Sequence, residues 1–175
     1  MDHYQKKLFL AKVDKNNNIL GKVERWDAHE GGILHRGFTM ILTYDNKIVL
    51  QHRKHLAFDG YFDLTFSSHQ IYVHEVLQTD EDAIYETLKR EWNIDSTGLK
   101  TIPKYLGKLY YKAKDPNGIF TEHEVDYIYI AELKNIPNPN LDFAYGFELI
   151  KNLKLSGIKN YKVAPWVEEI MKMIK

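Results

Sequence analysis

The chain has no cysteine among its 175 residues, which excludes disulfides, thiolate metal ligands and a cysteine nucleophile together. It has no excess of charge either. Lys plus Arg and Asp plus Glu number 24 each, so no global field draws it to nucleic acid or an anionic membrane, and any anion site must be local. No run approaches the roughly 20 apolar residues of a membrane span, and a cytoplasmic protein is expected. Internal repeats, low-complexity tracts and a His-Glu-x-x-His helix are also missing. What is there is the composition of a globular chain, 44% hydrophobic and 27% charged, enough to bury a core in one domain over residues 1–175.

Two hairpins are predicted at the start. Residues 8–14 and 19–26 are strand-like and flank Lys15-Asn16-Asn17-Asn18, whose asparagines tolerate left-handed backbone. Residues 37–44 and 47–51 flank Asp45-Asn46 in the same way. A helix is expected over 80–93 with Thr79 or Asp80 as its N-cap, then strands near 105–113 and 123–132. The prolines of Asn135-Ile136-Pro137-Asn138-Pro139-Asn140 lack a ladder donor and mark a loop. Two C-terminal helices are predicted, one near 146–154 and one opening at Ala164-Pro165-Trp166, where proline suits a first turn. The fold class is α+β: a mixed sheet sandwiched between helices.

Side chains of a strand alternate faces, so in 122–127 Glu122, Glu124 and Asp126 share one face. Carboxylates held together near an apolar sheet repel and rise in pKa unless a cation separates them. A divalent metal satisfies that need; a solvated edge strand is the other reading of a Glu-x-Glu pair. In the predicted helix Ile84, Leu88 and Glu91 fall on one face, which sets a carboxylate on an apolar stripe. It requires a buried Arg or Lys, or a metal carrying a phosphorylated ligand. His29, His35 and His69 sit in loop-like or element-end positions, and imidazole is the commonest metal ligand.

Several segments, in order, resemble the type I isopentenyl diphosphate isomerases of the Nudix superfamily. Val13-Asp14 with Leu20-Gly21 is similar to that family's opening hairpin, and Gly32-Ile33-Leu34-His35-Arg36-Gly37-Phe38 to its histidine-bearing strand. Gly60-Tyr61-Phe62 through Ser68-His69 resembles the stretch that carries its catalytic cysteine. Tyr111-Lys112-Ala113 through Gly118, followed by Glu122 to Tyr127, and Lys162-Val163-Ala164-Pro165-Trp166 resemble its remaining motifs.

The resemblance implies a Nudix fold and a tightly bound divalent metal, Mn2+ or Zn2+, on His29, His35, His69, Glu122 and Glu124. It further implies a Mg2+ held by Glu91 and bridging to a substrate diphosphate. Arg25 and Arg53 would bind that diphosphate, with Lys54 or His55 as a third contact, and Trp166 would close over a cationic intermediate. Isopentenyl and dimethylallyl diphosphate would be interconverted by a proton added on one side and another removed on the opposite side. Glu124 with Tyr111 would serve one side. Ser67 stands where the family has its cysteine, and a hydroxyl is a far poorer acid or base than a thiol of pKa about 8.5.

Leu64, Asp59 and Thr87 stand in place of the family's asparagine, proline and phosphate-binding arginine. Two other readings compete with an isomerase. A Nudix hydrolase acting on a nucleoside diphosphate is disfavoured by Glu86, Thr87, Arg90 and Asn93 at positions where a full Nudix box has other residues. A non-catalytic diphosphate-binding descendant fits Ser67 and Thr87 but not the retained metal ligands.

Overall fold

The computed structural model describes residues 3–151 and 157–174. Asp14 sets the first turn: its Oδ1 accepts the backbone N–H of Asn16 and of Asn18, both at 2.9 Å, while Asn17 takes the left-handed conformation. This joins β1 (Phe9–Val13) to β2 (Ile19–Glu24). The strand predicted over 19–26 ends earlier, because Glu24 turns its carboxylate onto the N–H groups of Trp26 and Asp27 and starts a helix at once. That helix, α1 (Arg25–Gly31), was not expected from the sequence. It stops at Gly32, whose φ of 57° suits a residue without Cβ.

The second hairpin joins β3 (His35–Tyr44) to β4 (Lys47–Arg53) through Asp45 and Asn46, both at positive φ, a turn whose twist matches the flanking strands. Short strands follow: β5 (Phe62–Leu64), β6 (Phe66–Ser68), β7 (Tyr72–Val73) and β8 (Val76–Leu77). Thr79 caps α2 (Asp80–Trp92), and Asn93 in the left-handed region ends it. Next come β9 (Lys104–Lys114), β10 (Thr121–Glu132), β11 (Ala144–Ile150) and α3 (Pro165–Met173), with proline in the first turn as predicted.

One correction concerns the helix predicted near 146–154. Residues 146–150 are strand β11, paired antiparallel with β4, and 152–154 lie outside the described residues. The strand supplies ladder partners that β4 would otherwise lack on that side.

The main sheet runs β11-β4-β3-β1-β2, with β10 parallel to β3 and antiparallel to β9, β5 on β4 and β6 on β3. Alternation along β3 and β4 sends Ile41, Ile48 and Leu50 to one face, where they pack with Trp166, Val167 and Ile170 of α3. Phe38, Met40, Leu42 and Val49 go to the other face, against Ile84, Leu88 and Trp92 of α2. The mixed sheet is therefore sandwiched between helices, as expected. Among the described residues no helix is long and apolar enough to cross a membrane.

Candidate functional site

The parallel register of β10 on β3 sets Glu124 beside His35, and Glu122 follows on the same face one pleat away. Helix α1 brings His29 to them from one side, and the chain leaving β6 brings His69 from another. The ligand atoms of His29, His35, His69 and Glu122 lie within 4.8 Å of one another. Glu124 Oε1 stands 2.8 Å from His69 Nε2 and 3.4 Å from His35 Nε2. Its carboxylate lies over the bare Cα of Gly37, where an added Cβ would come within 2.5 Å of Oε1.

The tautomers follow from the backbone. His29 Nδ1 donates to Arg25 O at 2.6 Å and His35 Nδ1 to Ile33 O at 2.8 Å, because a carbonyl can only accept. Each Nε2 is thereby turned toward the carboxylates. The Nε2 atoms of His35 and His69 are 3.2 Å apart with Glu124 Oε1 beside both, so three electron-rich atoms converge where only a proton or a metal can sit between them. Backbone-anchored imidazoles with carboxylates form a donor set suited to a divalent metal, and these residues fit one.

The histidines supply the counter-charge that two buried carboxylates need. Burial alone would raise Glu122 and Glu124, but the histidines outweigh it: His29 holds Glu122 below the usual carboxylate range, and His35 with His69 hold Glu124 well below it. Only Asp126, the third acid on this face, is pushed well above the range, by burial and by the charge of Glu124. His29 resists its own burial and rises to about 9 through Glu122, 3.2 Å away. Burial brings His69 down to about 4. Tyr111, directly across from Glu124 in the β9–β10 ladder, donates its phenol proton to Oε2 at 2.5 Å. Burial and that carboxylate raise Tyr111 well above its ordinary value, so it remains a phenol.

All but one of the expected site residues line a single pocket of about 70 Å³; His35 is fully buried and is not among its lining. Arg53 is already engaged, with NH1 2.6 Å from Asp63 Oδ2 and NH2 donating to Ala57 O. Arg25 NH2 donates to the carbonyls of His3, Tyr4 and Lys6, tying the N-terminal segment across the mouth of the pocket. Trp166 is buried and donates its indole N–H to Asp63 Oδ1 at 2.8 Å, with its ring 5.4 Å from that of Tyr111. Glu91 is buried on α2, where Arg90 NH2 donates to it at 2.8 Å and Gln51 at 3.4 Å. Ser67 reaches Asp63 Oδ2 at 3.0 Å and Thr39 Oγ1 at 2.8 Å. Between the two candidates for a third cation, Lys54 turns away to Leu141 O while His55 lines the pocket.

The sequence reading missed His3, Tyr4, Arg90 and Asp63 as residues at or directly behind this pocket. Arg90 was traceable, since it sits one helical turn from Thr87 and donates to its hydroxyl at 3.3 Å. Asp63 had no local signal.

Comparison with known proteins bears on the family and the fold. No family model matches the chain. Isopentenyl-diphosphate Delta-isomerase 1 of Mesocricetus auratus is 31% identical over 91% of this chain and 78% of its own length. Isopentenyl-diphosphate Delta-isomerase 2 of Photorhabdus laumondii is 30% identical over 86% and 81%. Among solved structures, DR0079 of Deinococcus radiodurans superposes with a TM-score of 0.70 at 14% identity, covering 94% of this chain and 97% of its own. A MutT NUDIX hydrolase of Burkholderia pseudomallei gives 0.62 at 17%, covering 81% and 98%. At such identities the structures speak for the fold alone, which is the Nudix fold.

Proposed function

The chain belongs to the family of isopentenyl-diphosphate Delta-isomerases, and on that premise we propose that it interconverts isopentenyl and dimethylallyl diphosphate by adding one proton and removing another. The observation that carries this reading is the joining, in one pocket, of a His/Glu donor set with a phenol-capped carboxylate, Glu124 and Tyr111.

Moving a carbon–carbon double bond requires a proton at one end of the alkene and a base on the opposite side, with a tertiary cation between the two events. Glu124 and Tyr111 form one proton-transfer group, in which the phenol orients the carboxylate through the short hydrogen bond it donates. Ser67 occupies the position of the family's cysteine and serves the opposite side, with turnover slowed by the weaker hydroxyl. The ring of Trp166, held by Asp63, offers its electron-rich face to the cation. Arg53, Arg25 and His55 border the diphosphate end. A divalent ion on His29, His35, His69, Glu122 and Glu124 would supply a fixed positive charge beside the reacting groups, and a Mg2+ on Glu91 would bind diphosphate oxygens. Burial of Glu91 next to Arg90 supports a charge-bearing role at that position.

The test is to incubate metal-loaded protein with isopentenyl diphosphate in deuterated water and follow label uptake together with phosphate release. Label without release is expected. Release without label would overturn the proposal in favour of a hydrolase. Neither, at high protein concentration and across a nucleotide panel, would leave a diphosphate-binding protein.

A further inference from the structure

Ser67 is the pocket-facing member of a chain of oxygens that runs into the sheet. Its Oγ lies 3.0 Å from Asp63 Oδ2 and 2.8 Å from Thr39 Oγ1, and Thr39 Oγ1 lies 2.8 Å from Asp126 Oδ2. These three contacts need three hydrogens, and the two hydroxyls supply two. The third belongs to one of the end carboxyls. Such a chain can pass a proton along itself, because each hydroxyl gives up one hydrogen as it accepts another.

Asp63 is built to serve this chain. It is fully buried, and its two oxygens are separated in role. Oδ1 accepts the Trp166 indole N–H and the backbone N–H of Leu64, both at 2.8 Å, which fixes the plane of the carboxylate. Oδ2 takes Arg53 NH1 at 2.6 Å and is left facing Ser67. The ion pair and the indole contact already satisfy a structural carboxylate. The contact to Ser67 adds something they do not need, a route from a buried acid to the pocket wall.

We propose that Asp63 acts through Ser67 as the proton reservoir for one side of the pocket, so that a carboxylate and a hydroxyl together perform the transfer a single thiol would perform. The inference rests on the isomerase reading and deepens it. In the deprotonation step the substrate C–H bond breaks and its electron pair forms the new C=C bond at the cationic carbon. The proton goes to Ser67 Oγ as the Ser67 O–H hydrogen passes to Asp63 Oδ2. In the reverse step Asp63 returns its proton, Ser67 donates to the alkene, and no electrons leave or enter the system. The hydroxyl never carries a full charge, which lessens the handicap of serine's weak acidity. Ser67 is the group that meets substrate, and Asp63 is a positioning residue that acts through it.

The experiment measures deuterium uptake into isopentenyl diphosphate by metal-loaded wild type, Asp63→Asn, Ser67→Ala, the Asp63→Asn/Ser67→Ala double variant, and Ser67→Cys with and without Asp63→Asn. A proton-transfer group typically contributes about a hundred- to ten-thousand-fold, so Asp63→Asn is expected to lose at least about a hundredfold in kcat with KM within about threefold. Ser67→Ala should lose as much, and the double variant no more than either, because the two residues work in series. Ser67→Cys should rescue Asp63→Asn by at least about tenfold, since a thiol holds its own proton; a merely structural role of Asp63 would allow no such rescue. Full activity of Asp63→Asn, losses that multiply in the double variant, or failure of the thiol to rescue would each overturn the inference. If Asp63→Asn does not fold, Ser67→Ala carries the test, with kcat within about threefold of wild type as the overturning result. Absence of uptake by the wild-type protein would overturn the isomerase reading and this inference with it, whereas normal uptake by both wild type and Asp63→Asn overturns the inference alone.

Discussion

Glu122 and Glu124 are answered by imidazoles, with His29, His35 and His69 at 2.8 to 3.4 Å, whereas Asp63, buried behind Ser67 of the same pocket, is answered by the Arg53 guanidinium and the Trp166 indole. Both walls bury carboxylates and both neutralise them, but the counter-groups differ in kind. An imidazole can take up a proton, release it, or offer a lone pair to a metal. A guanidinium keeps its charge at any pH the protein will meet. The histidine wall is therefore responsive to metal and to pH, whereas the guanidinium of the other wall keeps its charge throughout.

Removing the permanent charge should have the largest effect. Arg53→Met leaves Asp63 buried without its cation, and breaking a buried pair from one side costs about 3–5 kcal/mol. Urea or thermal unfolding measures it. A loss below about 1 kcal/mol would mean that Trp166 and Leu64 suffice for Asp63, and the contrast between the walls would weaken.

The second prediction sets the other wall against the first. A metal that binds only the folded chain, at a hundred times its dissociation constant, stabilises by about 2.7 kcal/mol. Zn2+ or Mn2+ should raise the unfolding temperature accordingly, and chelation should reverse the rise. His69→Ala should remove most of the shift, because it deletes one imidazole and leaves Glu124 with His35 as its remaining imidazole partner. An unchanged shift in that variant would show that the ion binds elsewhere.

How much of these walls could be read beforehand depended on whether the signal was local. The shared face of Glu122, Glu124 and Asp126 follows from strand alternation, and all three are buried, against the solvated edge strand that the pattern also allowed. The two hairpins followed from Asn and Asp at turns. Gathering three histidines around those acids was available only through family resemblance, because it depends on a parallel pairing of residues 35 and 124, far apart in the chain. Helix α1 escaped because Glu24 is a cap by geometry, while its neighbours Lys22 and Val23 read as more strand. In 146–150 short apolar spacing resembled a helix, and only the edge of β4 decides for a strand. Asp63 was illegible because nothing in its neighbours announces Arg53, Trp166 and Ser67 around one carboxylate.

The cap that went unread gives a third, smaller prediction. Glu24→Ala removes the acceptor for two N–H groups of α1 and should cost about 1 kcal/mol, the usual size of an N-cap. Since α1 carries His29, metal affinity should fall with it, measurable by competition with a chromophoric chelator. The corresponding loss at the arginine wall should be nil, so the Arg53→Met penalty should be the same with or without the cap.

The smallest effect concerns pH, and here two histidines near the pocket run in opposite senses. His3 belongs to the N-terminal segment, where its Nε2 faces Arg25 NH1 at 3.0 Å. Burial, with the charges of Arg90 and Arg25, lowers it from 6.5 to about 3. The docked segment therefore holds His3 neutral, while the undocked segment takes up a proton below about 6.5. Docking should be fully stable above 6.5 and weaken progressively as pH falls toward 3. His29 in the metal-free protein has the reverse sign. Its pKa is raised to about 9, so its contribution is complete below 6.5 and is lost as pH rises through 9. Amide hydrogen exchange of the metal-free chain between pH 4 and 10, corrected for the intrinsic pH dependence of exchange, should show the segment around His3 opening on the acid side and α1 loosening on the alkaline side. If the segment around His3 does not open on the acid side, His3 is not held neutral there, and the backbone contacts to Arg25 outweigh its titration in anchoring the segment.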